Sequence, residues 1–220
     1  MSRAHDLRLA ELLAARLCHE LAGPLAAIGN GVELIAEEGP EAAADAVSLV
    51  ADSARRATTR LQFYRFAYGL GPSSTLAGAP PHALAECLFD GTRISLDYSE
   101  DARAQPASWQ KLACNLVLVG AEALGRGGRL ALAVGPAGPE LEAEGELAAL
   151  TAEAVAALEL SAPLGELAAR TVHAYFTGML ARSLGWRIAL AAAEPGRLRL
   201  VVEAATEMDQ AAEATGSRST

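Results

Sequence analysis

Along the N-terminal part of the chain, apolar positions recur at helical spacing. Leu13, Leu17, Leu21, Leu25, Ile28, Val32 and Ile35 fall three or four residues apart and predict one helix over residues 7–38. Gly39-Pro40 ends it, because glycine suits the position just past a helix and proline the first turn of the next. A second stripe, Val47, Val50, Ala54, Ala57, Leu61, Tyr64 and Tyr68, predicts a helix over residues 41–68. Two long helices joined by so short a turn form an antiparallel hairpin. One hairpin cannot cover both stripes, so the pattern predicts a homodimer whose two hairpins pair as a four-helix bundle.

The pattern then changes. Residues 69–81 (GLGPSSTLAGAPP) read as a linker. Beyond it, helices are expected at 82–89, 108–124, 151–160 and 164–184, and strands at 93–98, 129–134, 140–144, 187–192 and 197–203. Gly135-Pro136-Ala137-Gly138-Pro139 and Glu194-Pro195-Gly196 mark two β-hairpin turns. The fold class is therefore α+β, a helical hairpin followed by an α/β sandwich with helices on one face of its sheet. The expected units are residues 1–70 (hairpin), 71–81 (linker), 82–205 (sandwich) and 206–220 (flexible tail).

Composition narrows the function. Of 220 residues, 51% are hydrophobic and 20% charged, which excludes a disordered chain. Lys+Arg 18 against Asp+Glu 27 leaves a net charge of −9, so no nucleic-acid partner is expected. No apolar run approaches the ~20 residues of a membrane span and the start is too polar for a secretory signal, so the expectation is a cytoplasmic protein with no membrane partner. Cys18, Cys87 and Cys114 form no framework and are expected to be buried small hydrophobes.

The residue out of place is His19. It lies two positions after Leu17 and two before Leu21, roughly 160–200° from the leucine stripe at about 100° per residue. The imidazole therefore faces outward in mid-helix. Ala15, Arg16, Ala22, Gly23 and Ala26 share its side, and all but Arg16 are small enough to let a partner approach. Pro24, inside the helix, removes the bond to the carbonyl of Glu20 at a cost of ~3 kcal/mol and predicts a kink one turn beyond the histidine. Glu20 supplies a carboxylate able to hold or deprotonate the ring.

Folding the hairpin about Gly39-Pro40 brings His19 level with Arg60. Arg56, Arg60 and Phe63 on the second helix are then candidates for a docking surface with Arg16, Ala22, Gly23 and Ala26 on the first. Phe63, two residues from Leu61, points away from the stripe and reads as an exposed anchor or as packing against a second subunit. The arginines read equally as a solvated face. His5, His82 and His173 read as surface or packing, and no His/Cys/Asp/Glu set has metal-ligand spacing.

The run Cys18-His19-Glu20-Leu21-Ala22-Gly23-Pro24-Leu25 resembles the H-box of histidine kinases, and the hairpin around it resembles their dimerisation and histidine-phosphotransfer domain. The mixed domain is similar to their ATP-binding domain in size and element order. Its nucleotide boxes depart from that pattern. In Asn115-Leu116-Val117-Leu118-Val119-Gly120, Val119 stands where a second asparagine is expected. Glu142-Ala143-Glu144-Gly145-Glu146 carries a glutamate in place of a glycine, and Pro163-Leu164-Gly165-Glu166 is all that remains of the second glycine box. With Leu61-Gln62-Phe63-Tyr64-Arg65-Phe66-Ala67-Tyr68-Gly69 closing the second helix, residues 7–204 resemble the ChpT-type histidine phosphotransferases.

That resemblance implies a phosphorelay transferase of cell-cycle control. His19 would accept a phosphoryl group from a receiver aspartate of a hybrid histidine kinase and pass it to receivers of response regulators. Glu20 would orient the ring, Mg²⁺ would sit on the receiver, and no ATP or other cofactor would be bound. Gly23 stands where kinases with phosphatase activity carry Thr or Asn, which implies weak phosphatase action. A divergent ATP-using sensor-kinase fragment and a non-catalytic dimeric adaptor are the alternative readings.

Overall fold

The computed structural model describes residues 3–37, 40–69 and 79–205. Helix α1 (Arg3–Glu37) continues through Pro24, and α2 (Pro40–Tyr68) folds back along it. The helices approach closely at Gly31, where a Cβ would stand 2.5 Å from Val50 Cγ2. The end of the hairpin turn at residues 38–39, most of the expected linker and the expected tail at 206–220 lie outside the described residues.

The second module runs α3 (Pro81–Leu88), β1 (Ile94–Tyr98), α4 (Glu100–Arg103), α5 (Ala107–Ala123), β2 (Gly128–Val134), β3 (Pro139–Glu144), α6 (Ala152–Leu158), α7 (Val172–Ser183), β4 (Trp186–Glu194) and β5 (Arg197–Ala204). The sheet order is β1-β2-β3-β5-β4. The β2–β3 and β4–β5 hairpins are antiparallel, as the turn residues predict, whereas β1 and β2 pair in parallel. A parallel pair needs a crossover, and α4 with α5 supplies it. The chain is thus α+β, a helical hairpin joined to an α/β domain with a mixed sheet.

One face of the sheet carries the core. Leu112, Leu116, Val117 and Val119 of α5 are fully buried, as are Leu130, Leu141, Leu198 and Leu200 of the sheet. Gly120 lets α5 lie close, since a Cβ there would stand 2.5 Å from Leu141 Cδ2. Cross-strand ion pairs cover the other face, among them Arg129 with Asp97 at 2.8 Å and Arg199 with Glu140 at 2.6 Å. Exposed pairs of this kind add only about 0–1 kcal/mol each, so they keep the face wet rather than hold the fold.

Two expectations are corrected. Residues 164–184 are not one helix. A single 3₁₀ turn at Leu164–Glu166 is followed by non-helical chain up to α7. Three carbonyls of this segment accept bonds from another helix. Arg8 of α1 donates to the carbonyls of Leu164 (3.3 Å), Gly165 (3.3 Å) and Leu167 (3.0 Å). The Thr171 hydroxyl accepts from the Ala168 N–H at 3.1 Å. Secondly, Cys114 alone is buried, whereas Cys18 and Cys87 are exposed.

The hairpin and the second module share one core. Phe63, Tyr64 and Ala67 of α2 belong to the same buried cluster as Ala85 of α3 and Leu112 and Leu116 of α5. A buried polar chain accompanies it. Asn115 Nδ2 donates to the carbonyl of Ala67 at 2.9 Å, tying α5 to the end of α2. His173, fully buried on α7, has Nε2 3.0 Å from the Asn115 carbonyl and Nδ1 3.0 Å from the Tyr68 hydroxyl. A carbonyl only accepts, so Nε2 carries the proton, and the lone pair on Nδ1 accepts from Tyr68 O–H.

Burial, reinforced by the nearby charge of Arg16 and only partly offset by the Asn115 carbonyl, pushes the pKa of His173 down to about 3. The ring is neutral when folded and protonates near 6.5 when unfolded, so the stability it confers is complete above that pH and is lost as pH falls toward 3. Unfolding should therefore take up one proton between pH 6.5 and pH 5, with stability falling by up to about 1.4 kcal/mol per pH unit. Chemical denaturation across that window checks it. His173→Gln should flatten the slope while lowering stability at pH 7 by about 2–4 kcal/mol.

Candidate functional site

The α1 helix brings Arg16, His19 and Glu20 to the edge of a cleft of about 550 Å³ between the hairpin and the second module. The His19 side chain is exposed, and its neighbours Ala22, Gly23 and Ala26 are exposed as well. A Cβ at Gly23 would meet nothing within 4 Å, so the approach along this side of α1 is open. The opposite wall holds Glu122 of α5, Thr151 and Arg170. Thr151 caps α6 by accepting from the Ala154 N–H at 3.2 Å, which fixes that wall locally.

Each charged group of α1 here has a partner. The guanidinium of Arg16 forms an ion pair with Glu122, their side chains being 11% and 26% exposed. Arg16 stays firmly cationic. Burial opposes its charge, but Glu122, with Tyr68, Tyr64 and Glu20, outweighs that and raises its pKa. Burial raises the Glu122 carboxyl and Arg16 pulls it back. Burial also pushes Tyr68 up to about 12, against the opposing pull of Arg16.

Pro24 explains the second pair. Lacking an N–H, it leaves the carbonyl of Glu20 without its helical donor. Arg60 of α2 fills the gap, donating to that carbonyl at 3.4 Å and to Glu20 Oε2 at 2.8 Å. The proline thus creates a socket for an arginine from the facing helix, and that arginine also binds the Glu20 carboxylate.

Of the residues that sequence reasoning singles out, the structure brings His19, Glu20, Arg16 and Arg60 together and leaves Ala22, Gly23 and Ala26 open beside them. Arg56 does not line that cleft. Its guanidinium lies against Gly91, in a small neighbouring pocket that Arg60 also lines, with Cys87, Asp90 and Thr92. Phe63 is a correction. It is 0% exposed and packs edge-on to Tyr64 within the shared core, so it is neither an exposed anchor nor available to a second subunit. A helical wheel gives only its angle from the stripe of α2, whereas the second module covers that other side.

Glu122, Thr151 and Arg170 were not anticipated. They lie more than 100 residues from His19 in sequence and reach it only through the docking of the second module. No local spacing signals such a wall. Among the described residues, no three His, Cys, Asp or Glu side chains are grouped to hold a metal ion.

An outward histidine thus stands at a cleft between a helical hairpin and an α/β domain. Residues 80–196 match the family described as the histidine phosphotransferase C-terminal domain. The chain belongs to this family, in its ChpT-type branch. It is 31% identical over 191 residues to the protein phosphotransferase ChpT of Brucella abortus (strain 2308), covering 84% of this chain and 90% of that protein. It also superposes on a solved bacterial phosphotransferase with a TM-score of 0.71 and 28% identity, over 92% of this chain and 98% of the other.

The geometry sets an order of reactivity among the histidines. Under native conditions, diethyl pyrocarbonate should modify His19, while His173 should react only after unfolding. Peptide mass spectrometry of the labelled chain checks both.

Proposed function

We propose that this chain is the phosphoryl carrier of a two-component phosphorelay, with His19 as the phosphoacceptor. The lone pair of a neutral ring nitrogen attacks the phosphorus of a phospho-aspartate on a donor receiver. An N–P bond forms as the P–O bond to the aspartate breaks, and the carboxylate leaves with the electron pair. The reverse exchange delivers the group to an aspartate on a response regulator. In so loose a transition state, catalysis is mostly positioning and neutralisation of charge. Mg²⁺ on the receiver supplies the neutralisation. The chain supplies the nucleophile, a carboxylate at Glu20 that orients the ring, and a docking surface at Arg16, Ala22, Gly23 and Ala26, with Arg60 and the more distant Arg56 on α2. The observation that carries this reading is the open approach to His19, bare at Gly23, in a chain of this family.

A reading without ATP is supported by Asn115. The one asparagine left in the nucleotide box spends its amide on the carbonyls of Ala67 and Lys111, at 2.9 and 2.8 Å. Val119, in place of the second, is fully buried. Homodimerisation through the hairpin is supported by the apolar side chains it exposes, notably Leu25 (55%), Val32 (54%), Val47 (55%) and Leu61 (51%). A cytoplasmic setting is in keeping with the described helices, none of which is long and apolar enough to cross a membrane.

The test uses a receiver domain labelled with radioactive acetyl phosphate. Wild-type chain should take up acid-labile label, and His19→Ala should take up none. Equal labelling of the two would refute the assignment, and tight binding of Mg²⁺-ATP in calorimetry would favour a kinase instead. For the dimer, sedimentation should give a two-chain species that the pair Leu25→Glu and Val32→Glu converts to monomer.

A further inference from the structure

We propose that Glu122 is a positioning residue of the site. From the second module it fixes the guanidinium of Arg16 on the side of α1 that carries His19. The inference rests on reading His19 as the phosphoacceptor, and it gives the second module a specific part in the transfer.

Arg16 lies one turn before His19, so the two side chains share a side of α1, and both line the cleft. A free arginine would sample many rotamers and lose much of that freedom on meeting a partner. Here it is held in advance. Glu122, projecting from α5, forms its ion pair.

Glu122 has a firm base, because α5 carries it one residue before the buried Ala123 and the helix is buried along most of its length in the core of the α/β domain. An arginine held in this way can meet an acidic receiver or its phosphoryl oxygens without first paying the entropy of its own ordering.

A double-mutant cycle separates positioning from mere support. With a receiver domain phosphorylated by acetyl phosphate, Arg16→Ala should lower kcat/KM for transfer about tenfold or more. Glu122→Gln, a minimal change, should lower it about three- to tenfold alone and less than about twofold in the Arg16→Ala background. Independently of transfer, ¹⁵N relaxation at Arg16 Nε should report an ordered side chain that becomes mobile in Glu122→Gln. Effects that multiply with Arg16→Ala, a faster Glu122→Gln variant, or Arg16 order unchanged by the substitution would overturn the inference. Wild-type chain that takes no label at all would instead overturn the reading of His19, while the relaxation data would still judge whether Arg16 is held.

Discussion

A helix has one circumference, and α1 divides it among several neighbours. One side meets α2, with a close approach at Gly31 and Val50. A second reaches the α/β domain through Arg8 and Arg16. A third stays bare at His19, Ala22, Gly23 and Ala26. Leu25 and Val32 remain outside all of these contacts, half exposed on a single chain. The function proposed for the chain depends on this division, because a reactive ring needs one uncovered side on an otherwise committed helix.

The same division explains why the nucleotide-box departures matter less as losses than as new contacts. Asn115 closes onto the end of α2, and the segment around Gly165 is held by Arg8. Residues that resemble parts of an ATP site thus anchor the domain to the hairpin. Burial makes the anchor costly to disturb. His173 and Asn115 are fully buried polar groups whose bonds, once broken, would leave them stranded.

Most of the fold was legible in the sequence because it rests on local periodicity and turn chemistry. The two stripes located α1 and α2, and the glycine–proline turns located both β-hairpins. His19 was legible for the same reason, as a polar residue opposite a stripe. What was not legible depends on long-range contact. Arg8, from the far end of the chain, bonds carbonyls of the segment expected as a helix at 164–184. Phe63 is buried by a module that the wheel of α2 cannot see. Glu122 and Arg170 reach the cleft only through docking. The role of Pro24 was half legible. The orphaned carbonyl of Glu20 follows from sequence, but its donor, Arg60, follows from the hairpin register.

The central claim is that one exposed imidazole carries the phosphoryl group. The most direct measurement is site localisation, by ³¹P NMR and peptide mass spectrometry of the full chain after exposure to a phosphorylated receiver at neutral pH. The account predicts a single phosphoramidate resonance and a modified peptide containing His19. A phosphoryl group found on His5 or His82, or on an acidic or hydroxyl side chain with His19 unmodified, would contradict it.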